Sequence, residues 1–133
     1  MTRAIFRWLL AIFYAGAGYL HLVSPRPFID IMPGWVPEPE GVIFWTGVAE
    51  LLGAAALLQP WSVNLRKAGA IGLALYAGCV FPANLNHFAI DMARNDGGLG
   101  LAYHLPRMAA QPVLVWLALW GGGVTDWPWR RRS

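Results

Sequence analysis

The sequence predicts an all-α protein, a bundle of four transmembrane helices within one membrane domain spanning 1–133. Three observations carry that prediction. Of 133 residues, 57% are apolar and only 13% charged, whereas soluble domains run near 45–50% and about 25%. The apolar residues gather into four runs of roughly the 20 residues that a bilayer-spanning helix needs. None of the runs alternates strictly, as a membrane barrel strand would, and lipid leaves helices as the other solution.

The first run covers about residues 4–23. Arg3, Arg7 and the Ala15-Gly16-Ala17 triplet could also suit a cleaved signal peptide. The apolar stretch continues past that triplet, so a retained helix is expected. Residues 24–41 follow, with five prolines and two glycines among them. Prolines remove backbone donors and turn the chain away from helix. The segment is also apolar, with Phe28, Ile29, Ile31, Met32, Trp35 and Val36. It is therefore expected as a re-entrant or interfacial cap between helices 1 and 2, not as a solvated loop. The second helix is expected at about 42–58 and the third at about 68–90, broken late by Pro82. Residues 91–101, rich in glycine, read as a flexible loop. The fourth helix is expected at about 105–124, opening through Pro106, Arg107 and Pro112.

Charge sets the orientation. Arg3, Arg7, Arg66, Lys67, Arg130, Arg131 and Arg132 fall on one side of such a bundle, against Arg26, Arg94 and Arg107 on the other, seven to three. The positive-inside rule then places both termini in the cytoplasm. Trp8, Trp61, Trp127 and Trp129 would anchor that face, Trp35 and Trp45 the opposite one. The net charge of +3 is explained by this bias, so nucleic acid is not an expected partner. The single cysteine, Cys79, excludes an internal disulfide or C-x-x-C pair and reads as buried and inert.

Chain direction gives depth. Helix 2 would descend from the outer face, leaving Glu50 about 12 Å down. His21 would end helix 1 near that face. Asn84 and His87 would fall in the outer third of helix 3, Gln111 near the start of helix 4, and His104 just above it. Polar side chains thus converge on the outer half. An ionised group at a helix centre costs on the order of 3 kcal/mol. Glu50 must therefore be protonated, paired or facing a wet cavity, and Gly47 and Ala54 share its inward face. Two roles stay open: a buried acid that ties helices together, or a group that binds a ligand or handles protons, with His21 beside it. His87 and Asp91, at i and i+4, are spaced to pair. His21, Glu50 and His87 lack H-x-x-x-H or E-x-x-H spacing, and no metal is expected.

Three ordered motifs resemble those of DoxX-like bacterial membrane proteins. They are His21-Leu22-Val23-Ser24-Pro25-Arg26-Pro27-Phe28-Ile29-Asp30-Ile31-Met32-Pro33, then Thr46-Gly47-Val48-Ala49-Glu50-Leu51-Leu52-Gly53-Ala54, then Phe81-Pro82-Ala83-Asn84; Gln111-Pro112 fits the start of the last helix. Leu22 and Thr46 are mild departures, standing where that family carries Phe and Ser. The resemblance implies a multi-pass protein of the bacterial inner membrane, associated in some members with quinone-linked oxidoreductases. The combined expectation is an outer-half pocket for a small apolar or quinone-like ligand. His21, Glu50, Asn84, His87 and Gln111 would line it, and Pro25, Phe28, Met32, Pro33 and Trp35 would cap it. No cofactor fingerprint is present, so electrons would come from a redox partner protein. A homo-oligomer stays open, as does a non-catalytic scaffold or assembly role.

Overall fold

The computed structural model describes residues 1–129. Arg130, Arg131 and Arg132, on which much of the charge bias rests, lie outside them. The described residues are helical, with no strand: α1 Thr2–Val23, α2 Arg26–Ile29, α3 Pro39–Leu58, α4 Val63–Cys79, α5 Phe81–Ala93 and α6 Leu101–Gly121. Three stretches are long and apolar enough to cross a membrane: Thr2–Val23, Pro39–Leu58 and Val63–Ala93, the last made of α4 and α5 in succession. Ile5, Leu9 and Ile12 on α1, and Leu75 on α4, face outward, an exposure compatible with contact to a lipid bilayer.

α1 packs along α3, α3 on α4, α4 on α6, and α6 on α1. The close approaches are made by small residues. A Cβ on Gly18 would stand 2.7 Å from the Gly47 carbonyl oxygen, and one on Gly47 would stand 2.8 Å from the His21 Cβ. These two glycines bring α1 and α3 together where His21 and Glu50 lie. The dry core is built around Leu10, Ala11, Tyr14, Ala54, Leu57, Ala70, Leu73, Ala74 and Ala118.

Several helix ends differ from those expected. α3 begins three residues before Val42, at Pro39, because proline suits the first helical turn, where its missing donor is not needed. α4 begins at Val63, not Ala68, because Ser62 caps it by accepting from the Leu65 N–H at 3.1 Å. Gln59 and Ser62 close the preceding turn reciprocally, at 2.7 and 2.8 Å. The expected third helix is two helices that meet at Val80, since Pro82 interrupts the hydrogen-bond ladder. α5 then runs on to Ala93, into the stretch expected as loop. α6 starts at Leu101 and carries Pro106 and Pro112 in its interior. Its end at Gly121 coincides with the run of glycines.

The proline-rich segment is also more regular than expected. It contains a one-turn helix, α2, started by Pro25 and Pro27 as proline starts helices generally. Further turns close from Met32 N–H to the Ile29 carbonyl and from Val36 N–H to the Pro33 carbonyl, each at 3.0 Å.

Candidate functional site

The end of α1, the upper half of α3, the α4–α5 break and the first half of α6 enclose a cavity of about 580 Å³. His21, Glu50, Asn84 and Gln111 line it, together with Phe28, Met32, Pro33 and Trp35 of the proline-rich segment. Most of the remaining wall is apolar. His87 and Pro25, both expected there, are not among the lining residues. His87 follows Asn84 by three residues on α5, yet its ring turns toward α6. Pro25 sits at the start of α2, where its backbone carbonyl accepts from Phe28 and Ile29 at 3.0 and 3.1 Å.

Glu50 and His21 form one unit. His21 Nδ1 lies 2.6 Å from Glu50 Oε2, with the residues 7% and 2% exposed. A buried charge needs a partner of this sort. Phe28 covers the imidazole, with ring centroids 4.0 Å apart. Asn86 donates to the Ile31 carbonyl at 2.9 Å and ties the proline-rich segment to α5.

Two polar atoms in the cavity wall have no hydrogen-bond partner among the described residues: the Tyr14 hydroxyl and Gln111 Oε1. Tyr14 is 2% exposed. Such atoms are costly to bury unmet, and both belong to residues that line the cavity. Tyr76, interacting with Glu50, completes a polar rim around the acid.

Tyr14, Tyr76, Cys79 and Arg107 line the cavity without having been expected there. Tyr14, Gly18 and His21 share one face of α1 at i, i+4 and i+7. Arg107, Gln111 and Leu114 do the same on α6. That periodicity is readable in the sequence once His21 and Gln111 are taken as inward-facing. Cys79 is exposed, not buried, because α4 ends there against the open space.

A second polar group lies beside the cavity. Asp91 Oδ2 accepts from the Leu99 N–H at 2.9 Å and meets His104 Nε2 at 2.9 Å. His87 Nε2 lies 3.6 Å from the same oxygen. The expected His87–Asp91 pairing is therefore present, but the closer partner is His104. Donor atoms of His87, Asp91 and His104 fall within 4.8 Å of one another, close enough to hold a cation. Arg107 Nη1 lies 2.8 Å from His87 Nδ1. A guanidinium only donates, so Nδ1 accepts and a neutral His87 carries its proton on Nε2, toward Asp91. A metal would have to displace that proton and the arginine, so the arrangement fits a hydrogen-bonded network better.

The molecule is thus an all-helical protein with three helices fit to cross a membrane and a polar-rimmed apolar cavity between them. Residues 10–121 match the family described as Domain of unknown function (DUF8561), and the chain belongs to that family. No curated protein and no solved structure matches the chain.

Proposed function

We propose that this is a DoxX-like protein of the bacterial inner membrane, a bundle of four spanning helices with both termini in the cytoplasm. Its cavity takes a small amphipathic ligand with an apolar body and an oxygen-bearing head, a quinone being a fitting class. The protein would serve as membrane subunit of a redox-linked system, receiving electrons from a partner. α6, at 21 residues, has the length to be the fourth span. The observation that carries the reading is the cavity of about 580 Å³, apolar in most of its wall, into which a buried His21–Glu50 pair and the unmet Tyr14 and Gln111 atoms are grouped. Ligand pockets have this volume and this mixture of apolar wall and few convergent polar groups. Glu50 and His21 would hydrogen-bond the head or exchange its proton, Asn84 and Gln111 would orient it, and the proline-rich segment would close over it.

A scaffold role has one observation of its own. The His21–Glu50 pair crosses between α1 and α3 where Gly18 and Gly47 bring them closest, so it also clamps the two helices. One experiment separates the readings. Purified protein is examined by mass spectrometry for retained small molecules, and a short-chain ubiquinone is tested for protection of Cys79 from N-ethylmaleimide. Retention or protection that disappears in Glu50→Gln supports the ligand site. An empty protein with an unprotected thiol, and a Glu50→Gln variant identical to wild type, leaves the scaffold.

A further inference from the structure

Among the described residues, Arg107 is the only lysine or arginine lining the cavity, and the only acid there, Glu50, is already held by His21 at 2.6 Å. The partners of Arg107 carry no negative charge. One is the ring nitrogen of His87 at 2.8 Å, and the other is the face of Tyr103, with the guanidinium carbon 5.5 Å from the ring centroid. His87 takes one of the five N–H donors of the guanidinium. Asp91, the nearest carboxylate along this chain of contacts, lies beyond the imidazole.

The network behind His87 does not neutralise Arg107. It positions it. Asp91 is anchored by His104 and by the Leu99 backbone N–H. Asp91 in turn faces the His87 proton, and this leaves Nδ1 open toward Arg107. Gly98 packs so closely on the Asp91 carboxylate that an added Cβ would collide with it, which keeps this anchor in place. Gln111 lies one helical turn beyond Arg107, and its Oε1 is buried and unmet. The amide end of a glutamine is not fixed by its shape, so its NH₂ can serve the same point as the guanidinium.

We infer that the cavity selects amphiphiles with an anionic head, of the fatty-acid carboxylate class, and that Arg107 reads that head while the apolar wall takes the chain. This rests on the proposed ligand-binding role of the cavity and narrows the oxygen-bearing head to an anionic one, in place of the neutral head of a quinone. Arg pairs a carboxylate through two parallel N–H donors. Arg107 is only partly buried, and beside an apolar wall that attraction is still stronger than at a fully solvated surface. A neutral head of equal size gains only ordinary hydrogen bonds.

The experiment uses the full chain in nanodiscs of zwitterionic lipid near pH 8, where a fatty acid whose carboxyl is raised by partial desolvation at the lipid surface is still largely ionised. Dodecanoate, dodecanol and dodecylamine are compared at equal mole fraction in the lipid, with protection of Cys79 from N-ethylmaleimide as readout and native mass spectrometry as a check on occupancy. Dodecanoate should protect at roughly tenfold lower mole fraction than dodecanol, the difference expected for a charge-assisted hydrogen bond, and dodecylamine should not protect. Arg107→Gln should bring dodecanoate down to the dodecanol level, and Arg107→Lys should keep part of the preference as a point charge. If Arg107→Gln fails to fold, the order of the three heads on wild-type protein still decides. Equal protection by acid and alcohol overturns the anionic-head inference and leaves the cavity a ligand site. No protection by any of the three or by a short-chain ubiquinone overturns the ligand site itself.

Discussion

The same helices behave in opposite ways at their two ends. Around Ala70, Leu57 and Ala118, each 0% exposed, α1, α3, α4 and α6 pack into a dry core, beside which an apolar hollow of about 620 Å³ lies between α3 and α4. Around Glu50 and Gln111 they enclose about 580 Å³ of space. The difference lies in residue size and in proline. Alanine and glycine at the packed end let backbones approach. At the other end Gly18 and Gly47 still hold α1 close to α3, while the α4–α5 break before Pro82 and the prolines of α6 leave space beside that contact. The open end gathers His21, Glu50, Asn84 and Gln111 around one space, whereas at the packed end the buried Gln59 is satisfied within its own turn by Ser62. The packed end carries stability, and the open end is free to carry chemistry.

The strongest way to break that contrast is to add volume to both ends. Ala70→Leu adds a branched chain where no space exists. Overpacking of this sort costs about 1–3 kcal/mol, and a thermal melt of the purified protein should fall by several degrees. Ala110→Leu adds the same atoms at the wall of the cavity. Its melting temperature should stay near wild type while ligand capacity drops. Equal destabilisation by the two substitutions would mean that the cavity is not open space.

The next effect sharpens the division of labour at the open end. Glu50→Gln keeps the shape and the hydrogen-bonding ability of the side chain beside His21, so stability should change by less than about 1 kcal/mol. Retained ligand should be lost. Glu50→Leu removes the partner of a buried imidazole and should cost more. A Gln variant that keeps its ligand and its pH response assigns Glu50 to the clamp between α1 and α3.

The seal over the cavity should respond less. Met32→Ser removes an apolar contact from the proline-rich segment but leaves α2 and the Asn86 bond to Ile31 in place. Cutting by protease between Ser24 and Gly41 should rise a fewfold, and bound ligand should suppress it. If that stretch is cut as readily as the Gly97–Gly100 loop with and without ligand, it is no lid.

Much of this division is written in residue types. Apolar run length marked where α1, α3 and α4 lie, because membrane-spanning helices need a fixed length of apolar chain. The high cost of a buried acid singled out Glu50, and its pairing with His21 follows from the same cost. The sequence was less legible where the signal is three-dimensional. Proline reads as a breaker, yet Pro39 starts α3 and Pro106 and Pro112 sit within α6. Neighbouring helices can make good the missing hydrogen bonds, which local sequence does not reveal. His87 shares a helix face with Asn84 by spacing, but Arg107 and Asp91 draw its ring away. Arg107 went unread because a basic residue near a membrane boundary has an ordinary anchoring use, and Tyr14, in the middle of α1, because an aromatic within an apolar run reads as plain core.

The smallest expected effect lies outside both ends, in the loop between α5 and α6. Arg94 donates twice to Asp96 at 2.8 Å, and the Gly98 N–H donates to it at 3.0 Å. The Arg94 hydrogen bond above all, then that of Gly98, holds the Asp96 carboxyl well below the usual carboxylate range. A carboxyl whose folded value is depressed stabilises the fold above its unfolded value of about 4. That contribution disappears as pH falls through the folded value. Asp96→Asn should therefore lower the melting temperature slightly at neutral pH, and the difference should close in strong acid. The pair is solvent-exposed, so salt should shrink the effect as well. The packed core and the cavity should not respond. A melting loss in Asp96→Asn as large as that of Ala70→Leu, or one accompanied by altered Cys79 protection, would show that this loop is mechanically joined to the cavity through Asp91 and Gly98, and that the open end extends further along the chain than its lining residues.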